Sequence, residues 1–90
     1  NVVIIARSDD GLDAAADRIR AEGGRCDTIS ADVGKRDDVK AAVSEVIKRH
    51  GGFDTWVSNA GVGAYAKLEE LSDEDHRQLF ETNYWGVVHC

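Results

Sequence analysis

The apolar positions of this chain change their period several times, and each change marks an element. Residues 2 to 6 (Val-Val-Ile-Ile-Ala) are an unbroken, mostly β-branched run, the pattern of a strand covered on both faces. Beyond them the spacing turns helical: Leu12, Ala15, Ala16 and Ile19 fall at i, i+3, i+4 and i+7. Ser8 stands where such a helix wants its cap, and Gly23-Gly24 ends it. Residues 25 to 31 read as a second, weaker strand. Val39, Ala42, Val43, Val46 and Ile47 repeat the helical stripe, with Lys48, Arg49 and His50 at the carbonyl end and Gly51-Gly52 closing it. Residues 53 to 58 predict a third strand. After a loop, Ser72 with Asp75 forms a capping-box signal, with Asp in place of the usual Glu, for a last helix. The order is βαβαβα, which predicts an α/β fold: a partial, Rossmann-like three-layer αβα arrangement on a parallel, doubly wound sheet with right-handed crossovers.

Ninety residues allow one small domain at most and bury only a modest fraction of the unfolded surface. The apolar run begins at Val2 without a cap, turn or basic segment before it, so the expectation is a piece of a single longer dinucleotide-binding domain. Eleven Lys and Arg against seventeen Asp and Glu give a net charge of -6. The basic residues are scattered, so nucleic-acid and anionic-membrane binding have no electrostatic footprint. No apolar stretch approaches the roughly 20 residues of a membrane helix, and a soluble, cytoplasmic protein is expected. Cys26 and Cys90 lie far apart without metal or redox spacing, and Cys26 reads as a buried thiol. The three histidines have no metal-ligand spacing, so no metal site is expected.

In sheets of this kind ligands bind outside the carboxyl ends of the strands. Three such ends are available: Arg7-Ser8, Asp32-Val33 and Ser58-Asn59-Ala60-Gly61. An acidic side chain near the first position would hold ribose hydroxyls, whereas an Arg there accommodates a 2′-phosphate; a plain solvated loop residue is the alternative. Asp32 either accepts from an adenine amino group or caps the following helix. Asn83 falls in line with His76, Leu79, Phe80 and Val87 on one helical face, where a buried amide needs a partner: a water, a ligand or nearby backbone. Gly61-Val62-Gly63-Ala64-Tyr65-Ala66 matches a relaxed G-x-G-x-x-A pattern, but the next helix signal comes only at Ser72, so it reads as a loop.

Together these residues resemble the short-chain dehydrogenase/reductase family, of its NADP-preferring type. The likeness spans essentially all 90 residues through Ala6-Arg7-Ser8, Asp32-Val33, the Asn-Ala-Gly loop at 59 to 61, and Asn83 with Gly86. Ser58 departs from the family's Asn-Asn-Ala-Gly. The resemblance implies that Arg7 and Ser8 meet the 2′-phosphate, Asp32 the adenine amino group and Val33 the adenine itself, while Asn59, Ala60 and Gly61 line the ribose. It implies that Asn83 is the catalytic Asn that holds a water in a proton relay. The cofactor implied is NADP(H) ahead of NAD(H), the substrate a small-molecule carbonyl or alcohol, and the assembly a homo-oligomer in which Trp85 faces outward. The family's Gly-rich loop and its downstream Ser and Tyr-x-x-x-Lys pair are not among these residues, since neither Tyr65 nor Tyr84 has a Lys four positions on. In the resembling fold a further strand lies between the first and third strands predicted here. A non-catalytic dinucleotide-binding member is one alternative. Another is a flavodoxin-like signalling receiver, suggested by Asp9-Asp10, although Asp54 sits at the wrong end of a strand for it.

Overall fold

The computed structural model describes all residues from Asn1 to Cys90. Strand β1 (Val2–Ala6) and strand β2 (Cys26–Ser30) pair in parallel, in register from Val2 opposite Cys26 to Ala6 opposite Ser30. Between them runs α1 (Asp9–Ala21), which lies against both strands. Its buried face is Leu12 and Ala16, flanked by the half-buried Ala15 and Ile19, so the stripe in the sequence is the face that packs. Ser8 caps this helix, its Oγ accepting from the Gly11 N–H at 3.2 Å.

Helix α2 (Arg36–His50) buries Val39, Ala42 and Val46. It ends on Gly51, whose φ of 79° is the left-handed conformation a helix stop requires, with its N–H donating to the Ile47 carbonyl at 2.7 Å. Ile47 departs from the predicted stripe, being half exposed. A short 3₁₀ turn (Leu68–Glu70) precedes α3 (Asp73–Phe80). There Ser72 and Asp75 close the expected box: the Ser72 Oγ accepts from the Asp75 N–H at 3.1 Å, and the Asp75 carboxylate accepts from the Ser72 N–H at 3.2 Å. A π-helical turn (Glu81–Trp85) joins α3 to α4 (Gly86–His89).

The fold is the parallel αβα arrangement expected, with one element unformed. Residues 53 to 58, read as a third strand, are not part of the sheet, which has two strands in the order β1-β2. The physical reason is pairing: a strand is defined by its ladder, and residues 52 to 66 make no backbone–backbone hydrogen bond at all. The outer edge of β1 is likewise unpaired. Between them opens a cleft of about 1490 Å³, walled on one side by β1 and on the other by residues 52 to 62. With nine of 90 residues buried, the core is thin: α1 packs on the two strands, while α2 meets the last helix and turns Val39, Ala42 and Val46 toward the cleft.

Candidate functional site: the carboxyl ends of the strands

Parallel, in-register pairing brings the two strand ends to one edge. The Ala31 N–H donates to the Ala6 carbonyl at 3.0 Å and the Ser30 hydroxyl reaches the Arg7 carbonyl at 3.4 Å, so Arg7-Ser8 and Asp32-Val33 leave the sheet side by side. Arg7 is exposed and its guanidinium forms no ion pair within the chain. Ser8 accepts from Gly11 but retains its hydroxyl proton for another partner. Asp9 and Asp10 occupy the first turn of α1, where the helix dipole favours them.

Asp32 does not cap α2; the cap position belongs to Lys35. It organises the turn instead. Its Oδ1 accepts from the Gly34 N–H at 2.9 Å, its carbonyl accepts from the Lys35 N–H at 2.9 Å, and its own N–H donates to Oδ2 of Asp38 at 3.0 Å. The other oxygen of the Asp32 carboxylate makes no hydrogen bond within the chain. Val33 packs against the last helix so closely that a Cβ on Gly86 would lie 2.9 Å from the Val33 Cγ2. Glycine at 86 is what lets that helix approach.

The helical face carrying Asn83 differs from the one predicted. Thr82 and Gly86 are buried, with His76, Leu79 and His89 half buried in line, whereas Phe80, Asn83 and Val87 are exposed. A uniform 3.6-residue period does not hold across this helix: the Gly86 N–H donates to the Glu81 carbonyl five residues back, and such a π turn inserts extra backbone and rotates the residues beyond it. The Asn83 amide is therefore neither buried nor orphaned. Its Oδ1 accepts from the Val62 N–H and its Nδ2 donates to the Val62 carbonyl, both at 2.8 Å. This two-bond clasp pins the exposed Asn59-Ala60-Gly61 loop onto the helix, and a Cβ on Gly61 would come 3.3 Å from the Asn83 Oδ1.

Arg7, Ser8, Asp32, Val33, Asn59, Ala60 and Gly61 all line the one large cleft; Asn83 stands behind the loop and does not. Trp85, expected to face outward, is 44% exposed. It meets Tyr84 edge-on at 5.2 Å and stacks on His89 at 6.4 Å between ring centroids. Two residues escaped the sequence reading. His89 places its Nδ1 2.9 Å from the Val33 carbonyl, and Asp38 holds the Asp32 N–H. A contact 56 positions apart leaves no local signal, whereas an acidic residue in the first turn of α2 could have been noted as a partner for the loop before it.

These features stand at the carboxyl-end edge of a Rossmann-type sheet, with an unpaired cation and an organised carboxylate at adjacent strand ends. The chain belongs to the short-chain dehydrogenase family, whose model matches residues 1 to 90. It is 36% identical over 88 residues to an uncharacterized oxidoreductase, YxnA, of Bacillus subtilis strain 168, covering 98% of this chain and 25% of that protein. It superposes on an alcohol dehydrogenase from the archaeon Thermococcus sibiricus complexed with 5-hydroxy-NADP, with a TM-score of 0.84 and 34% identity, over 97% of this chain and 37% of that one. L-sorbose reductase from Gluconobacter frateurii, complexed with NADPH and L-sorbose, gives a TM-score of 0.84 and 31% identity over 99% of this chain and 34% of that one. The chain thus spans between a quarter and somewhat over a third of the length of these proteins, 25% to 37%. Family membership removes the signalling-receiver alternative.

Proposed function

We propose that residues 1 to 90 form the adenosine-binding part of a longer NADP(H)-dependent oxidoreductase that moves hydride between the nicotinamide cofactor and a carbonyl or alcohol substrate. The observation that carries this is the unpaired Arg7 guanidinium beside the structured Asp32 turn on one cleft edge. That edge fits a phosphorylated adenosine: a free cation and a hydroxyl for a 2′-phosphate at Arg7 and Ser8, and a carboxylate oxygen for the adenine amino group at Asp32. Val33 offers an apolar surface to the base, and Asn59, Ala60 and Gly61 offer exposed backbone to the ribose. The bound dinucleotide supplies the hydride chemistry, and the protein orients it.

Asn83 acts first by holding Val62, and thereby the ribose loop. Its amide keeps a second proton and a second lone pair, enough to hold a water for the proton relay that the family resemblance implies. The proton donor that the resemblance implies, a Tyr beside a Lys, is not among residues 1 to 90. The outward Tyr84, Trp85 and Val88 support a homo-oligomeric assembly through this helix. Titration of the full-length enzyme with NADPH and NADH tests the proposal: tighter NADPH binding with turnover of a carbonyl is expected. Binding without turnover on a broad carbonyl and alcohol panel would favour a non-catalytic member, and failure to bind either dinucleotide would refute the site.

A further inference from the structure

Val33 and Asp32 do their work only if the turn that carries them is held still. Beyond the Lys35 N–H on the Asp32 carbonyl, two of its side-chain restraints are local: the Asp32 carboxylate on the Gly34 N–H and the Asp38 carboxylate on the Asp32 N–H. The third comes from the other end of the chain. His89, half buried in the last helical turn, reaches the Val33 carbonyl with Nδ1 at 2.9 Å. A carbonyl only accepts, so Nδ1 carries the proton. Trp85, one helical turn earlier, lies alongside the ring with 26° between the planes and 6.4 Å between the centroids.

We infer that His89 is a positioning residue for the adenine side of the cleft, acting through the Val33 carbonyl; this rests on the cofactor reading above. The same helix approaches Val33 through Gly86, so contact is made twice on one residue: apolar at its side chain, polar at its backbone. Loss of the His89 bond frees the carbonyl and lets the turn tilt, which moves the Asp32 carboxylate and the Val33 surface together. The bond involves neither Asn83 nor its partner Val62. The effect therefore falls on adenosine affinity and not on the chemical step.

The test uses the full-length enzyme and adenosine 2′,5′-bisphosphate, which lacks the nicotinamide half. His89→Phe keeps a ring against Trp85 and removes the donor; His89→Asn places an amide nitrogen where Nδ1 stood. Calorimetry should show His89→Phe binding the bisphosphate about 3- to 10-fold more weakly, the range of one neutral hydrogen bond, with His89→Asn recovering to within about twofold. KM for NADPH should rise in His89→Phe without a matching fall in kcat. The nitrogen NMR spectrum of the wild-type ring should show the proton on Nδ1, a readout that needs no variant to fold. Unchanged affinity in His89→Phe, no recovery in His89→Asn, or a proton on Nε2 would each overturn the inference while leaving the cofactor site standing. A wild-type enzyme that does not bind the bisphosphate would overturn both.

Discussion

The Arg7 guanidinium leaves β1 with no anionic partner in the chain, in a protein that carries an excess of acidic residues. An arginine left unpaired among so many carboxylates is available for an anion. A guanidinium on a phosphate is a charge-assisted contact of about 1.5 to 3 kcal/mol. Arg7→Asp in the full-length enzyme should therefore weaken NADP(H) by roughly ten- to a hundredfold and spare NAD(H), since an acidic residue here suits ribose hydroxyls. Fluorescence titration with both cofactors checks this, and equal losses would contradict a 2′-phosphate contact. At this scale the sequence was informative because strand ends are local: residues 2 to 6 announce where β1 stops, and Arg7 comes next. Asp32 was half legible. Its place at the end of β2 was clear, but the choice between helix cap and turn depends on Gly34 and Asp38, whose partners appear only when the loop closes.

Two helices were readable for local reasons. Ser8 and Gly23-Gly24 bracket one stripe, and Gly51-Gly52 ends the next; caps, stops and periodicity are all short-range. The π turn was not readable, since periodicity assumes uniform spacing and no residue in Glu81–Trp85 marks the extra backbone. That turn changes what Asn83 does. Its two bonds to Val62 make it a clasp on the Asn59-Ala60-Gly61 loop, so on the proposed reading Asn83→Ala should speed hydrogen exchange at Val62 and weaken cofactor binding as well as turnover. Asn83→Leu should restore neither, because the site is exposed and offers no apolar pocket to fill; retention of slow Val62 exchange in either variant would show that another contact holds the loop. The neighbouring capping box makes a pH prediction. Hydrogen bonds from the Ser72 hydroxyl and backbone N–H hold the Asp75 carboxyl below its ordinary value. A depressed folded pKa means the box contributes fully above the unfolded aspartate pKa of about 4 and loses its contribution as pH falls through the lower folded value. The first turn of α3 should accordingly fray on acidification below that range, seen as faster-relaxing Asp75 and His76 amide signals, and Ser72→Ala should remove most of the pH dependence. A first turn that stays equally ordered down through this range would contradict the box.

For the molecule as a whole, shape separates this chain from a closed domain. A compact domain of 90 residues has a radius of gyration of about 12 Å, whereas here it is 15.0 Å, with extents of 46 × 27 × 19 Å. β1 presents an unpaired edge to the cleft, and residues 53 to 57 line the far side without a ladder. The buried Trp56 indole N–H there has no acceptor, although buried donors in stable folds are almost always paired. Residues 53 to 58 have the composition of a strand, yet strand formation needs a neighbour, and no property of those six residues reports whether one is at hand. On the proposed reading a strand of the longer enzyme fills the slot and pairs with both. The purified 90-residue chain should then unfold without a cooperative transition. Amides of residues 52 to 61 and 63 to 66, none of them hydrogen-bonded within the chain, should exchange within the dead time of the measurement, and NADPH binding should be undetectable. In the full-length enzyme the same amides at 53 to 57 should be protected to the level of β1, because an inserted strand satisfies both edges at once. Fast exchange of residues 53 to 57 in the full-length protein, or a sharp melt and NADPH binding by the 90 residues alone, would show that the cleft is a native feature of this chain and that no strand belongs in it.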